Sequence, residues 1–515
     1  MRITRTTRSP RAGRTAALVL PVLAAALVAP AVVSAAPANA AAAPVAASVS
    51  GGAVRWEPCT SPGLDPRQEC ATVAVPLDHR KPHGKQISLA ISRIRSENPD
   101  ARRGALLLIP GGPGGSSVDG PSKNGKKLPQ SVRDAYDIIG FDPRGVGRST
   151  PVSCGLAHAD LSMLNLRPWP AADGSIDQNV AGARRTADAC ARNGDDVLRS
   201  ISTRTAARDI DLIRRALGER KLSAWGVSYG TYVGAVYAQL FPHRTDRWVL
   251  DSNDDPDPER VARGWLANYA VGVEDSFPDF AAYAAAPGTP DRLAERPEDV
   301  RPLFLALAAK LDREPLPWPG ANPEQLNGNM LRQTLVDSLY SKTRFPALAR
   351  LIAAARANTE LPAAPAIPDA AMQNIAAVAG ATLCNDVDAW RGTSPREFQQ
   401  DVTKSRRTHP LTAGMPVNTT LCAYWKDRPQ ESPVRITPRG PSNILLVQNE
   451  RDPATPLAGA RKLRTALGDR ARMVTVDALG HGSYVTNGNA CGDRVVTDFL
   501  VTGARPARDR FCAGS

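Results

Sequence analysis

Gly226-Val227-Ser228-Tyr229-Gly230 places a serine between two glycines, with an apolar run before it and helical spacing after it. A serine hydroxyl is a poor nucleophile until a base removes its proton. The pentapeptide therefore carries chemistry only if a base, and a group to orient that base, lie elsewhere in the chain. Alone the pattern is weak: small residues recur by chance in a chain this rich in Ala and Gly, and a strand–helix turn with a capping serine reads the same. Its setting decides. Leu222 to Val227 reads as a strand and Thr231 to Phe241 as a helix, the strand–turn–helix that a nucleophile elbow requires. Only small residues clear so tight a turn. The hydroxyl then stands at the positive end of a helix dipole.

The base comes from six histidines: His79, His83, His158, His243, His409 and His481. With an elbow of this kind the chain order is serine, acid, histidine, which leaves His409 and His481. His409 precedes Pro410 in a polar stretch and reads as a surface residue. His481 lies in Leu479-Gly480-His481-Gly482-Ser483, a glycine-rich loop just after a strand, and loops at the carboxyl ends of parallel strands are where such sheets carry their chemistry. The acid must follow another strand and precede His481. Asn443 to Gln448 is that strand, and Asn449-Glu450-Arg451-Asp452-Pro453 follows it. Asp452 is favoured, because Pro453 and Pro456 make a rigid turn that aims a carboxylate; Glu450 is the alternative. Asp477, on a strand, reads as structural. Pro110-Gly111-Gly112-Pro113-Gly114-Gly115-Ser116 follows another apolar strand and can turn bare N–H groups toward one point, as an oxyanion requires. Gly112 is the expected first donor, with Gly111 possible, and the N–H of Tyr229 is the second. No Gly-Lys-Ser/Thr follows, which argues against a phosphate loop. No CxxC motif or Cys/His cluster points to a metal, and no cofactor is implied.

Positioning three side chains so far apart in sequence needs a sheet. Gly104 to Ile109, Asp137 to Phe141, Leu222 to Val227, Arg247 to Asp251, Asn443 to Gln448 and Met473 to Val476 are short apolar runs, and helical patterns such as Thr205 to Leu217 separate several of them. That alternation predicts an α/β fold: a mostly parallel sheet with helices on both faces. Cys70 to Leu77 and Gln86 to Ile94 read as a hairpin. Between residues 256 and 440 the rhythm is helical, Ala/Leu-rich and broken by prolines, and predicts an inserted helical cap. The core is thus expected in two parts, 41–255 and 441–515.

Five arginines, an apolar run from Ala16 to Val33 and Ala38-Asn39-Ala40 give residues 1–40 the layout of a secretory signal peptide. A membrane anchor is the competing reading, weakened by Pro21 and Pro30. Cleavage leaves a net charge near +8, spread among acidic residues with few aromatics beside it; a nucleic-acid partner is not expected. Eight cysteines in an exported chain suggest disulfides. Near-neighbour spacing favours Cys59–Cys70, Cys154–Cys190, Cys384–Cys422 and Cys491–Cys512.

With these pieces placed, the chain resembles the secreted bacterial tripeptidyl aminopeptidases, relatives of the proline iminopeptidases within the α/β hydrolases. The likeness is carried by Pro110 to Ser116, Phe141-Asp142-Pro143-Arg144-Gly145-Val146-Gly147-Arg148-Ser149, Trp225 to Thr231, Cys384-Asn385-Asp386, Asp452-Pro453-Ala454-Thr455-Pro456 and Gly480-His481-Gly482. It implies an α/β-hydrolase fold and removal of short peptides, tripeptides in the nearest branch, from free N-termini of peptide or protein substrates outside the cell. Two departures bear on substrate preference. Ile109-Pro110 stands where proline iminopeptidases usually have His-Gly, and Ser252-Asn253-Asp254-Asp255 stands where the tripeptidyl branch tends to be small and apolar. An exopeptidase must also read an α-ammonium, and a desolvated ammonium needs a paired charge; Asp386, Asp254 and Asp255 are the candidates. The Phe141 to Ser149 loop is expected to pack beneath the site through Asp142 and Arg144 rather than to catalyse. A secreted carboxylesterase or lipase with the same three residues is the main alternative, and a catalytically dead binding protein a more distant one.

Overall fold

The structure, a computed structural model, describes residues 54–257, 261–365 and 367–514. The expected signal peptide, residues 1–40, and the first residues of the expected core, 41–53, lie outside the described residues. Ten strands form one sheet: β1 (Glu57–Pro58), β2 (Glu69–Pro76), β3 (Gln86–Ile94), β4 (Gly104–Ile109), β5 (Tyr136–Phe141), β6 (Leu222–Ser228), β7 (Thr245–Asn253), β8 (Ile444–Arg451), β9 (Ala471–Leu479) and β10 (Arg510–Cys512). Their spatial order is β1-β2-β3-β5-β4-β6-β7-β8-β9-β10. β2 and β3 pair antiparallel, as the expected hairpin does, and β3 meets β5 antiparallel; every pairing from β5 through β4 to β10 is parallel.

Burial explains why the central strands read as unbroken apolar runs. In β4, Leu107 and Ile109 enter the apolar cluster on one face, while Leu106 and Leu108 enter the cluster on the other. A parallel strand covered on both faces has no polar side. Each such leucine contributes about 1.5–3 kcal/mol by leaving water. Helices α1 (Thr203–Ala216) and α2 (Tyr229–Leu240) pack on the first face. α1 begins with a capping box between Ser202 and Thr205.

The long connection from β7 to β8 carries α3 (Arg263–Ala285), α4 (Pro297–Arg313), α5 (Gly328–Ser338), α6 (Phe345–Ala357), α7 (Asp369–Asp386) and α8 (Pro395–Thr408). While α7 and α8 pack into the cluster on the first face of the sheet, α3 to α6 share an apolar cluster built on Phe277, Phe280, Phe304 and Phe345, whose rings meet edge to face. Trp169, from the β5–β6 connection, joins it. A two-stranded pair, Leu316–Pro317 with Gln325–Leu326, also lies in this connection. The sequence reading had no strand there, because two residues per strand leave no periodicity to detect. The chain closes with α9 (Leu457–Leu467) and α10 (Ala490–Thr502); α10 packs on the second face of the sheet.

The four disulfides are Cys59–Cys70, Cys154–Cys190, Cys384–Cys422 and Cys491–Cys512, the near-neighbour pairs expected from spacing. Among the described residues no helix is long and apolar enough to cross a membrane.

Candidate active site

Ser228 is the last residue of β6 and the N-cap of α2, held at φ 59° and ψ −130°. A serine gains nothing locally from that conformation, which costs on the order of 1–3 kcal/mol. Its neighbours have to be glycine. A Cβ on Gly226 would lie 2.6 Å from the Gly230 carbonyl oxygen, and one on Gly230 would lie 2.4 Å from that of Ile109. The Thr231 hydroxyl donates to the Ser228 carbonyl (2.6 Å) and accepts the N–H of Asp254 (3.0 Å). One hydroxyl thus ties the elbow to the end of β7, where Asn253 stands in register with Ser228.

His481 Nδ1 lies 3.0 Å from both oxygens of Asp452. Asp452 is fully buried and closely held: Oδ1 accepts the N–H groups of Ala454 and Thr455 (2.9 Å each), and Oδ2 accepts the Thr455 hydroxyl (3.0 Å). Burial by itself would raise the Asp452 pKa, but the imidazole, Thr455 and the Ser252 hydroxyl outweigh it and hold the carboxyl below its ordinary value. Burial would likewise lower that of His481. The Asp452 charge and hydrogen bond, helped by Asp254 and Asp251, raise it instead. The imidazolium form of His481 is thereby favoured. Glu450, the alternative acid, stays within β8, and Asp477 pairs with Arg451 (2.8 Å). His409 ends α8 and bonds the Thr408 hydroxyl.

The histidine loop is fixed from β7. Asp251 accepts the N–H groups of Ser483 (2.7 Å) and Tyr484 (2.9 Å) and the Trp225 indole N–H (3.2 Å). The Ser252 hydroxyl accepts the Gly482 N–H (2.7 Å), and Ser252 itself bends at φ 59°. A Cβ on Gly482 would touch Val227 at 3.9 Å, so the loop runs against the residue before Ser228. Sequence reasoning missed Ser252 and Thr455, and took Asp251 only as the end of a strand. An aspartate closing an otherwise apolar strand was the available signal for Asp251.

The glycine loop folds back beside Ser228. A Cβ on Gly111 would lie 2.9 Å from the Ser228 Cβ, and Gly112 sits at φ 118°, a conformation open to glycine. The Gly115 N–H is taken by the Gly111 carbonyl (3.1 Å), which withdraws it as an oxyanion donor. Helix α7 lies over this loop, with the backbone of Ile375 next to Gly114. Beneath it, Asp142 accepts the Ser116 hydroxyl and the N–H groups of Val118 and Arg148, while Arg144 forms a buried ion pair with Asp209.

The three carboxylates considered for the substrate amine separate clearly. Asp386, at the end of α7, accepts both the N–H (2.7 Å) and the hydroxyl of Thr203. Asp255 pairs with Lys462 (2.9 Å). Asp254 is 7% exposed, and its carboxyl is pushed up to about 7, chiefly by burial and further by Asp452 and Asp255, against the opposing pull of His481. Among the described residues no group of three or more His, Cys, Asp or Glu is arranged to hold a metal ion.

Thr455→Val is expected to lower kcat/KM about 10-fold, because a hydrogen bond to a buried carboxylate is worth about 1.5–3 kcal/mol. Thr455→Ser should restore most of the loss. Steady-state kinetics of the two variants check this, and an unchanged Thr455→Val enzyme would assign the hydroxyl no part in holding Asp452.

Comparison with known proteins agrees with this architecture. The family described as TAP-like protein matches residues 409–512. A tripeptidyl aminopeptidase of Streptomyces lividans is 34% identical over 478 residues, covering 91% of this chain and 88% of that protein. The serine protease Hip1 of Mycobacterium tuberculosis is 28% identical over 90% of this chain and 91% of that protein. A carboxylesterase B of the same species is 28% identical over 86% of each. With that identity across nearly its whole length, the chain belongs to the tripeptidyl aminopeptidase family and is a serine hydrolase of the α/β-hydrolase fold.

Proposed function

We propose that the protein is an extracellular exopeptidase that releases short peptides, tripeptides above all, from free N-termini through an acyl-enzyme on Ser228. The observation that carries the serine mechanism is the Asp452–His481 pair, held by the ends of β7 and β8 against the strand that bears Ser228, and the 34% identity to a tripeptidyl aminopeptidase favours peptide substrates. His481 Nε2 takes the proton as Ser228 Oγ bonds to the substrate carbonyl carbon, and the carbonyl electrons move onto its oxygen. The N–H groups of Gly112 and Tyr229 receive that oxyanion. When the tetrahedral intermediate collapses, the C–N bond breaks and the imidazolium gives its proton to the departing amine. Water then repeats the sequence: His481 takes its proton, the hydroxide attacks the acyl carbon, and the Ser228 oxygen leaves with the proton returned. The four disulfides suit an oxidising exterior.

Incubation with a library of free-N-terminus peptides, followed by mass spectrometry of the fragments, tests this. Tripeptides released from the amino end are expected; internal cuts or intact peptides would reject it. The carboxylesterase relative favours a second reading, ester hydrolysis at the same site. Robust turnover of short-chain esters with no peptide turnover would establish that reading instead.

For the substrate ammonium, Asp254 is the carboxylate of choice, since Asp386 is taken up by Thr203 and Asp255 by Lys462. The group must be ionised to bind a cation. As pH rises through about 7, KM for a free-amine peptide is therefore expected to fall, while KM for an N-blocked ester stays flat. Both substrates share His481, but only the peptide carries an α-ammonium, which loses its own proton at about pH 8, so Asp254 is isolated by the variant. Asp254→Asn should remove the fall below that pH and raise the free-amine KM about 10-fold or more. Equal effects on both substrates would end that role.

A further inference from the structure

His481 touches the long β7–β8 connection as well as the sheet. Its N–H donates to the carbonyl of Tyr340 (3.0 Å), which also accepts the side-chain amide of Asn487 (3.1 Å). The same residue's ring stands against the imidazole, with centroids 4.9 Å apart and planes inclined by 65°. Tyr340 lies just beyond α5, and its far end is clamped. Its hydroxyl bonds that of Tyr269 on α3 (2.6 Å) and accepts from Arg167 (3.2 Å). Arg167 lies over the Tyr269 ring at 4.9 Å and pairs with Asp337 on α5 (2.8 Å). A ring whose hydroxyl is pinned from two elements cannot swing away, so it forms a fixed wall for whatever lies against it. What lies against it here is the proposed general base.

We propose that Tyr340 is a positioning residue for His481. It fixes the imidazole through the ring contact and fixes the loop through its carbonyl, while Arg167 and Tyr269 hold Tyr340 in turn. Asp452 sets which nitrogen of His481 carries the proton, and Tyr340 limits rotation and tilt of the ring that carries it. The helical connection is then a component of the catalytic base as well as a cover for the substrate. A misplacement of about 1 Å in such a group costs up to about 100-fold in rate.

This inference rests on the proposed roles of Ser228 and His481, and its test is arranged so that the two fail separately. A small fluorophosphonate makes no use of peptide subsites, and its rate of reaction with Ser228 reports the base. Tyr340→Ala is expected to slow labelling about 10- to 100-fold and to lower kcat for a short ester and a peptide in the same proportion, with the ester KM within about 3-fold. Tyr340→Phe keeps the ring but loses the hydroxyl clamp, so it should label faster than the alanine variant and more slowly than wild type. Tyr340→Leu fills the volume without an aromatic wall, and serves if the alanine variant does not fold; it should label slowly. A folded Tyr340→Leu or Tyr340→Ala protein that labels at the wild-type rate and loses only peptide affinity overturns the proposal, because the ring would then be a substrate wall. Failure of the wild type itself to label would instead reject the serine mechanism.

Discussion

Ser228→Ala is expected to lower kcat by roughly a hundred-thousand- to million-fold, with little change in binding of a peptide substrate. The covalent step has no substitute: without the hydroxyl, only water activated by His481 remains, beside whatever the oxyanion donors contribute. Labelling by a fluorophosphonate should vanish in the same variant. The backbone adds a second readout. Alanine is no more at ease than serine at φ 59°, whereas glycine is. Ser228→Gly should thus be equally dead yet more stable than Ser228→Ala by a few tenths to about 1 kcal/mol, because the strain is relieved at some cost in unfolded-chain entropy. Thermal unfolding of the two dead variants measures this. Activity within 100-fold of wild type in either would place the nucleophile elsewhere.

Much of this site was legible because its physics is local. The elbow needs glycines at 226 and 230 since backbone oxygens come within 2.6 Å of any added Cβ, and a constraint that severe leaves its mark in sequence. β4 was legible because both its faces are covered and no polar residue interrupts it; in β6 the one interruption before the elbow is Ser223, buried with its hydroxyl accepting the Arg247 N–H. The strand ends were less so. β7 runs on through Ser252 to Asn253 and β8 through Glu450 to Arg451; Asn253 and Arg451 take their place in the ladder from Ser228 and Leu479 on neighbouring strands, across register shifts at Ser252 and Glu450. The same is true of function at those ends. Ser252 matters because Gly482 and Asp452 come to it from more than 190 residues away. Choosing among Asp254, Asp255 and Asp386 likewise required knowing that Lys462 and Thr203 had claimed two of them. Tyr340 carried no motif. Its part depends on the packing of α3 and α5, which helical periodicity cannot order in space.

Asp452→Asn is expected to cost about 10,000-fold in kcat while preserving the fold. The hydrogen bonds dictate how. Oδ1 of Asp452 accepts two backbone N–H groups, from Ala454 and Thr455, and only the carbonyl oxygen of an asparagine can take that place. Its NH2 group then falls where Oδ2 stood, 3.0 Å from His481 Nδ1, and donates to that nitrogen. The imidazole must carry its proton on Nε2, the nitrogen that has to accept the Ser228 proton, and the base is lost without moving an atom far. The Thr455 hydroxyl, which donates to Oδ2, would have to turn and accept. The pH profile gives an independent check. Asp452 holds the His481 pKa above its ordinary value, so the residual activity of the variant should keep its acid limb at lower pH than wild type. Glu450→Gln, outside this network, is expected to leave both rate and limb nearly unchanged. If the large loss and the shifted limb were found in Glu450→Gln and not in Asp452→Asn, Glu450 would be the orienting acid, and the hydrogen bonds around Asp452 would serve the fold alone.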